Sequence, residues 1–168
     1  RVNYKKLTLI HWKVIFFQLL SVLAVIQTKY PGFRHNDLKA NNILVHKITS
    51  KKHSFEYRIA NTVYKVPNIG YHIKIWDFDF ACIPGIVDNK KVEANWTNEI
   101  NVSPVENKYY DTHYFFNTLI SENFCKEIIF GDTVDQEIRN FIFRVVPEKY
   151  RKTDTQFIHK RGRILVSD

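Results

Sequence analysis

The stretch His35-Asn36-Asp37-Leu38-Lys39-Ala40-Asn41-Asn42-Ile43-Leu44-Val45 decides how the rest of this chain is read. Asp37 is followed five residues later by Asn42, and Asn42 leads straight into the apolar run Ile43-Leu44-Val45. A second stretch, Ile73-Lys74-Ile75-Trp76-Asp77-Phe78-Asp79, carries another acid, Asp77, out of another short apolar run. Short apolar runs bounded by polar residues read as strands. Two carboxylates and an amide are therefore expected at strand ends. A single carboxylate would carry no weight, but this ordered set does.

Upstream, Thr8–Thr28 suits a long helix whose apolar positions nearly surround it, as for a helix buried inside a domain, and Pro31-Gly32 stops it. Its most apolar part, Val14–Ile26, is broken by Gln18 and Ser21. It falls short of the ~20 apolar residues of a membrane span, so a core helix and no membrane partner are expected. Between the two strands, Lys47–Tyr71 alternates weakly and reads as a β-hairpin or surface insertion over 46–72, with Pro67-Asn68-Ile69-Gly70 as a turn. Downstream, Ile83–Lys108 holds Pro84, Gly85, Asp88-Asn89 and Ser103-Pro104 with little periodicity, and reads as a long functional loop. Tyr109–Ile120 and Thr133–Val146 read as helices, followed by a basic tail.

One domain is the expectation for 168 residues, and 13 Phe with 9 Tyr promise an aromatic core. Cys82 and Cys125 have neither metal-site spacing nor a disulfide framework, which points to a reduced, intracellular setting. The net charge is +8, with basic clusters at Lys47–His53 and Arg151–Arg163. These read as a solvated surface or a surface for phosphate or acidic peptide. They lack the interleaved aromatics that would stack nucleic-acid bases, so nucleic acid is not an expected partner.

The chemistry served by such a set is phosphoryl transfer. A carboxylate orients the attacking hydroxyl and takes its proton, while oxygen ligands hold Mg²⁺ against the phosphates. Asp37, Asn42 and Asp77 are that minimal kit. At these residues the chain resembles the protein kinase superfamily: His35, Asp37, Leu38 and Asn42 fall in register with its catalytic-loop motif, and Asp77-Phe78 with its metal motif. The wording of Arg34–Val45, of Asp77-Phe78-Asp79-Phe80-Ala81 and of Tyr110–Phe116 is most similar to kinase-like proteins of large DNA viruses, and more distantly to haspin-type kinases.

The resemblance implies an α+β, mainly α fold: a protein-kinase-like C-terminal lobe over 1–168, with short β-hairpins around the buried helix. It implies an activation-segment-like loop over 77–110, ATP and Mg²⁺ as cofactors, and a protein substrate. Asp37 takes the place of the base and Lys39 that of the lysine aimed at the moving phosphate. Asn42 and Asp77 take the metal positions. His35, Phe78 and Asp111 are supporting residues, with Asp111 bracing the catalytic loop. Read from residues alone, Asp111 serves equally as a helix N-cap, and Lys39 as a solvated loop lysine. If viral, the location is host cytoplasm or virion.

The chain also departs from the family pattern. Asn36 replaces an Arg that meets activation-loop phosphate, so activation by loop phosphorylation is not expected and Asn36→Arg should change little. Asp79 replaces a Gly and should stiffen the motif or add a carboxylate near the metal. No Gly-rich loop or strand lysine precedes Thr8; the missing N-terminal lobe is expected in the same parent chain. The function expected is a protein serine/threonine kinase. The alternatives are a pseudokinase scaffold and a small-molecule kinase of the aminoglycoside or choline type.

Overall fold

The computed structural model describes residues 3–121, 128, 131–151 and 155–165. Cys125 lies outside these residues. The fold is mixed α/β: a helix α1 (Leu9–Lys29), a strand β1 (Ile43–Lys47), strands β2 (Ser54–Ile59) and β3 (Thr62–Pro67), a strand β4 (Tyr71–Ile75), then helices α2 (Tyr110–Leu119) and α3 (Gln136–Val145). The strands form two separate antiparallel pairs, β1 with β4 and β2 with β3.

Helix α1 starts where Thr8 leaves an extended backbone and its N–H donates to His11 Nδ1 at 3.3 Å, which occupies one of the donors a helix start leaves open. It ends at Tyr30, ahead of Pro31. By length and composition it is the one helix among the described residues that could cross a membrane. Its packing accounts for its apolar character differently. Trp12, Phe16, Leu19 and Leu23 enter a core shared with Phe115, Phe116 and Leu119 of α2 and Ile138 and Ile142 of α3. Phe16 meets Phe116 edge-on at 4.9 Å and stacks on Phe141 at 5.7 Å. Each such side chain contributes about 1.5–3 kcal/mol on leaving water. A second face is covered by the β2–β3 hairpin, where Phe17 touches Tyr57 and Tyr64, both at 5.3 Å. Val22 and Val25 remain exposed.

The polar break in α1 has a structural use. Gln18 is buried, accepts from Ile73 N at 2.8 Å and donates to Tyr71 O at 3.3 Å. A side chain thereby satisfies backbone groups on the edge of β4 that has no partner strand among the described residues. This sets the β1–β4 ribbon against the core helix. In that ribbon Ile43 pairs with Ile75, and Trp76 N donates to Asn42 O at 2.9 Å.

The turn that closes the β2–β3 hairpin comes earlier than Pro67–Gly70. The register Ile59↔Thr62 puts it at Ala60-Asn61, with Ala60 at φ 50°. Two-residue turns need positive φ, and Ala60 carries no sequence mark of it. Pro67–Gly70 instead returns the chain into β4. There the Asn68 side chain donates to Ser50 O and Lys52 O at 3.1 and 2.7 Å and accepts from Gly70 N at 2.8 Å.

Candidate active site

The loop from Arg34 to Asn42 is bonded to the segment after β4, to α2 and to the C-terminal tail. Arg34 and Cys82 exchange backbone hydrogen bonds at 3.0 and 2.9 Å, tying the loop to the segment after Asp77. Tyr109 occupies the N-cap of α2. Asp111, in the first turn, reaches out of its own helix. Its Oδ2 accepts from His35 N at 2.7 Å and its Oδ1 from Asn36 N at 2.9 Å. Burial pushes the Asp111 carboxyl up, opposed by those two N–H groups and by the neighbouring His35 and Arg34.

His35 is fully buried and links the two motif stretches. Its Nε2 lies 3.0 Å from Trp76 O, its Nδ1 3.4 Å from Asp37 N, and its ring 5.1 Å from Phe78. A carbonyl only accepts and an amide N–H only donates, so the two polar contacts require the proton on Nε2.

Asn36 is also fully buried, at φ 66°, and donates through Nδ2 to Phe80 O at 2.9 Å. The expectation that Asn36→Arg would change little therefore meets a fully buried site, where the left-handed backbone favours short residues. The loop's own cations are Arg34 and Lys39. Arg34 is buried, stacks 3.6 Å over the Tyr110 ring and donates to Val105 O. Burial raises the Cys82 thiol, the first of several influences on it, so this free cysteine is a packing residue.

Asp37 is held through both oxygens. Oδ2 accepts from Lys39 Nζ at 2.8 Å and from Asn42 Nδ2 at 3.0 Å; Oδ1 accepts from Arg163 Nη2 at 2.8 Å. Asn42 Nδ2 also reaches Asp37 O at 2.8 Å. The amide nitrogen is thus committed inward, and among the described residues the Asn42 side-chain oxygen has no partner. Asp77 is exposed, at φ 63° and ψ 68°. Because Asn42 precedes β1 and Asp77 follows β4, the antiparallel register brings both to the same end of the ribbon. Two non-glycine residues with positive φ, Asn36 and Asp77, therefore flank the candidate site, where local strain commonly collects. The Asp79 carboxylate is engaged by Lys91 at 2.8 Å, on the surface.

The seven residues singled out from sequence fall into one neighbourhood by these contacts and this register. Among the described residues no cluster of three His, Cys, Asp or Glu forms a metal cage. Arg163 was missed. In the sequence it is one more cation in a basic tail, and only the flanking Ile158 and Ile164, which bridge each other, hint that the tail is folded.

Comparison with known proteins gives a consistent result. A family model described as poxvirus serine/threonine protein kinase matches residues 3–165. A protein of Acanthamoeba polyphaga mimivirus named "Putative serine/threonine-protein kinase" is 54% identical over 99% of this chain and 36% of its own length. A second mimivirus protein of the same name is 32% identical over 86% of this chain and 40% of its own. Serine/threonine-protein kinase 2 of monkeypox virus is 31% identical over 75% of this chain and 27% of its own. The chain thus spans roughly a third of the length of these relatives.

Proposed function

The chain belongs to the poxvirus serine/threonine protein kinase family, and from that premise we propose that it is the C-terminal lobe of an ATP-dependent kinase acting on protein hydroxyls. In this reading 1–168 is the lobe, 46–72 an inserted hairpin and 77–110 the activation segment. The small lobe that covers the nucleotide lies in the same parent chain. The protein acts inside the infected cell or the virion.

The observation that supports the reading most is the clamped Asp37 carboxylate. A loose phosphoryl-transfer transition state asks the protein mainly for positioning and electrostatics. A carboxylate with both oxygens bonded, on a loop braced by Asp111 and His35, is suited to orient an acceptor hydroxyl and take its proton. Lys39, whose side chain is 35% exposed, is the cation free to turn toward a transferred phosphate.

The donor chemistry fits Mg²⁺: one exposed carboxylate, Asp77, and one left-over amide oxygen, Asn42, leave the remaining positions to water and phosphate. When bound, the ion supplies charge neutralisation on the ATP phosphates.

The test is full-length protein with labelled ATP, offered mixed proteins and small alcohols. Asp37→Asn should slow transfer by about 10²–10⁴, the usual reach of acid–base assistance. Equal rates for wild type and Asp37→Asn would remove the enzyme reading and leave a scaffold. Label on small alcohols alone would move the assignment to small-molecule kinases.

A further inference from the structure

Resting on the kinase reading above, we infer that Arg163 is a positioning residue for the reaction: its guanidinium is the permanent partner that sets the plane of the Asp37 carboxylate. The pair joins residues 126 apart in the chain. It is the desolvated arm of the clamp, with the Arg163 side chain 6% exposed and that of Asp37 10%. The other cation, Lys39, is 35% exposed on a flexible stem. One contact is therefore built to stay and the other to leave.

The surroundings of Arg163 leave its head group little freedom. Its Nε lies 3.4 Å from Asn36 O, and its guanidinium sits 4.3 Å over the Tyr114 ring. The backbone on either side is pinned as well. Gly162, at φ 82°, accepts from Asn117 Nδ2 at 2.9 Å, and a side chain at 162 would come within 3.4 Å of that amide. Arg163 O accepts from His159 N at 2.8 Å, and Ile164 O from Asn101 Nδ2 at 2.8 Å.

The consequence follows from rotation about the Asp37 Cβ–Cγ bond. Both oxygens turn together about that bond, and Lys39 and Asn42 act only on Oδ2, so once Lys39 leaves, a single amide would hold the plane on that side. Arg163 holds Oδ1. When Lys39 turns to a phosphate, Arg163 and Asn42 still keep one bond on each oxygen, and the buried carboxylate keeps a counter-cation. Rigid, planar donors of this kind suit a fixed carboxylate contact better than an ammonium does.

The test uses full-length protein with Arg163→Gln, Arg163→Lys and Asn101→Gly, the last loosening the same tail at a φ of 53° that glycine tolerates. The readouts are kcat, KM for ATP and the thermal transition. Arg163→Gln should lower kcat roughly 10–100-fold, the scale of a misplaced reacting group, with KM for ATP unchanged. Arg163→Lys should recover part of the rate, and Asn101→Gly should keep the wild-type kcat. A wild-type kcat in Arg163→Gln overturns the inference. So does an equal loss in Arg163→Gln and Asn101→Gly, which would make the tail a general staple. If Arg163→Gln loses its cooperative transition, Arg163→Lys decides: a lowered kcat at unchanged KM supports the inference, and a wild-type kcat overturns it. An inactive wild type would sink the kinase reading itself, and the inference with it. Activity in the wild type with unaffected Arg163 variants would sink the inference alone.

Discussion

Replacing Asp111 should cost more stability than its helix position alone would suggest. The residue is 2% exposed and its two oxygens take the N–H groups of His35 and Asn36 at 2.7 and 2.9 Å. Hydrogen bonds to a charged acceptor contribute about 1.5–3 kcal/mol each, and a buried donor left without a partner costs about 1–3 kcal/mol. Asp111→Ala removes both bonds at once, a gross loss of about 3–6 kcal/mol. Burying no charge at 111 returns part of that, leaving a net of about 2–4 kcal/mol against a typical total of about 5–15 kcal/mol. Asp111→Asn keeps one oxygen and turns an NH₂ toward the other amide, so its loss should be smaller, about 1–2 kcal/mol. Urea denaturation of the three proteins gives the order directly, and hydrogen exchange locates it. The His35 and Asn36 amides should exchange faster in Asp111→Ala beyond what the global loss accounts for. An Asp111→Ala protein within about 0.5 kcal/mol of wild type, with those two amides still protected, would refute the reasoning.

Two further outcomes follow from buried polar groups. Burial lowers His113 from its ordinary 6.5, only partly countered by the Tyr150 carbonyl 2.9 Å from its Nε2. The folded state therefore prefers the neutral ring, and its contribution is complete above 6.5 and is lost as pH falls from there through the lowered folded value. Thermal midpoints measured from neutral to mildly acidic pH should drop more steeply for wild type than for His113→Gln; parallel curves would remove His113 as the cause. Asn36→Arg should destabilise by about 2–4 kcal/mol, from overpacking and a side chain forced into a left-handed backbone. An unchanged denaturation midpoint would mean the loop opens to let the arginine out.

The sequence alone determined what depends on neighbours a few residues apart. Apolar positions on nearly every side and the Pro31-Gly32 stop read out the Thr8–Thr28 helix, observed at Leu9–Lys29, and short apolar runs read out the two strands that carry Asn42 and Asp77 to their ends. The resemblance that pointed to the family was also local, because Asp37, Asn42 and Asp77 each keep their place relative to a nearby element. Tertiary structure decided what depends on distant partners. Asp111 was a helix cap from residues alone and a brace by resemblance, and only the packing of α2 on the loop aims its carboxylate at amides 75 and 76 positions away. Asn36 looked like a replaceable loop residue until burial and its positive φ closed the site around it. Arg163 looked like a solvated tail cation, since charge and composition are the same for an arginine in water and one desolvated against a carboxylate. Local dihedral preference and amphipathic period are written in one dimension. Which oxygen an arginine reaches 126 residues away is set by how the packed elements close, and that is written only in three.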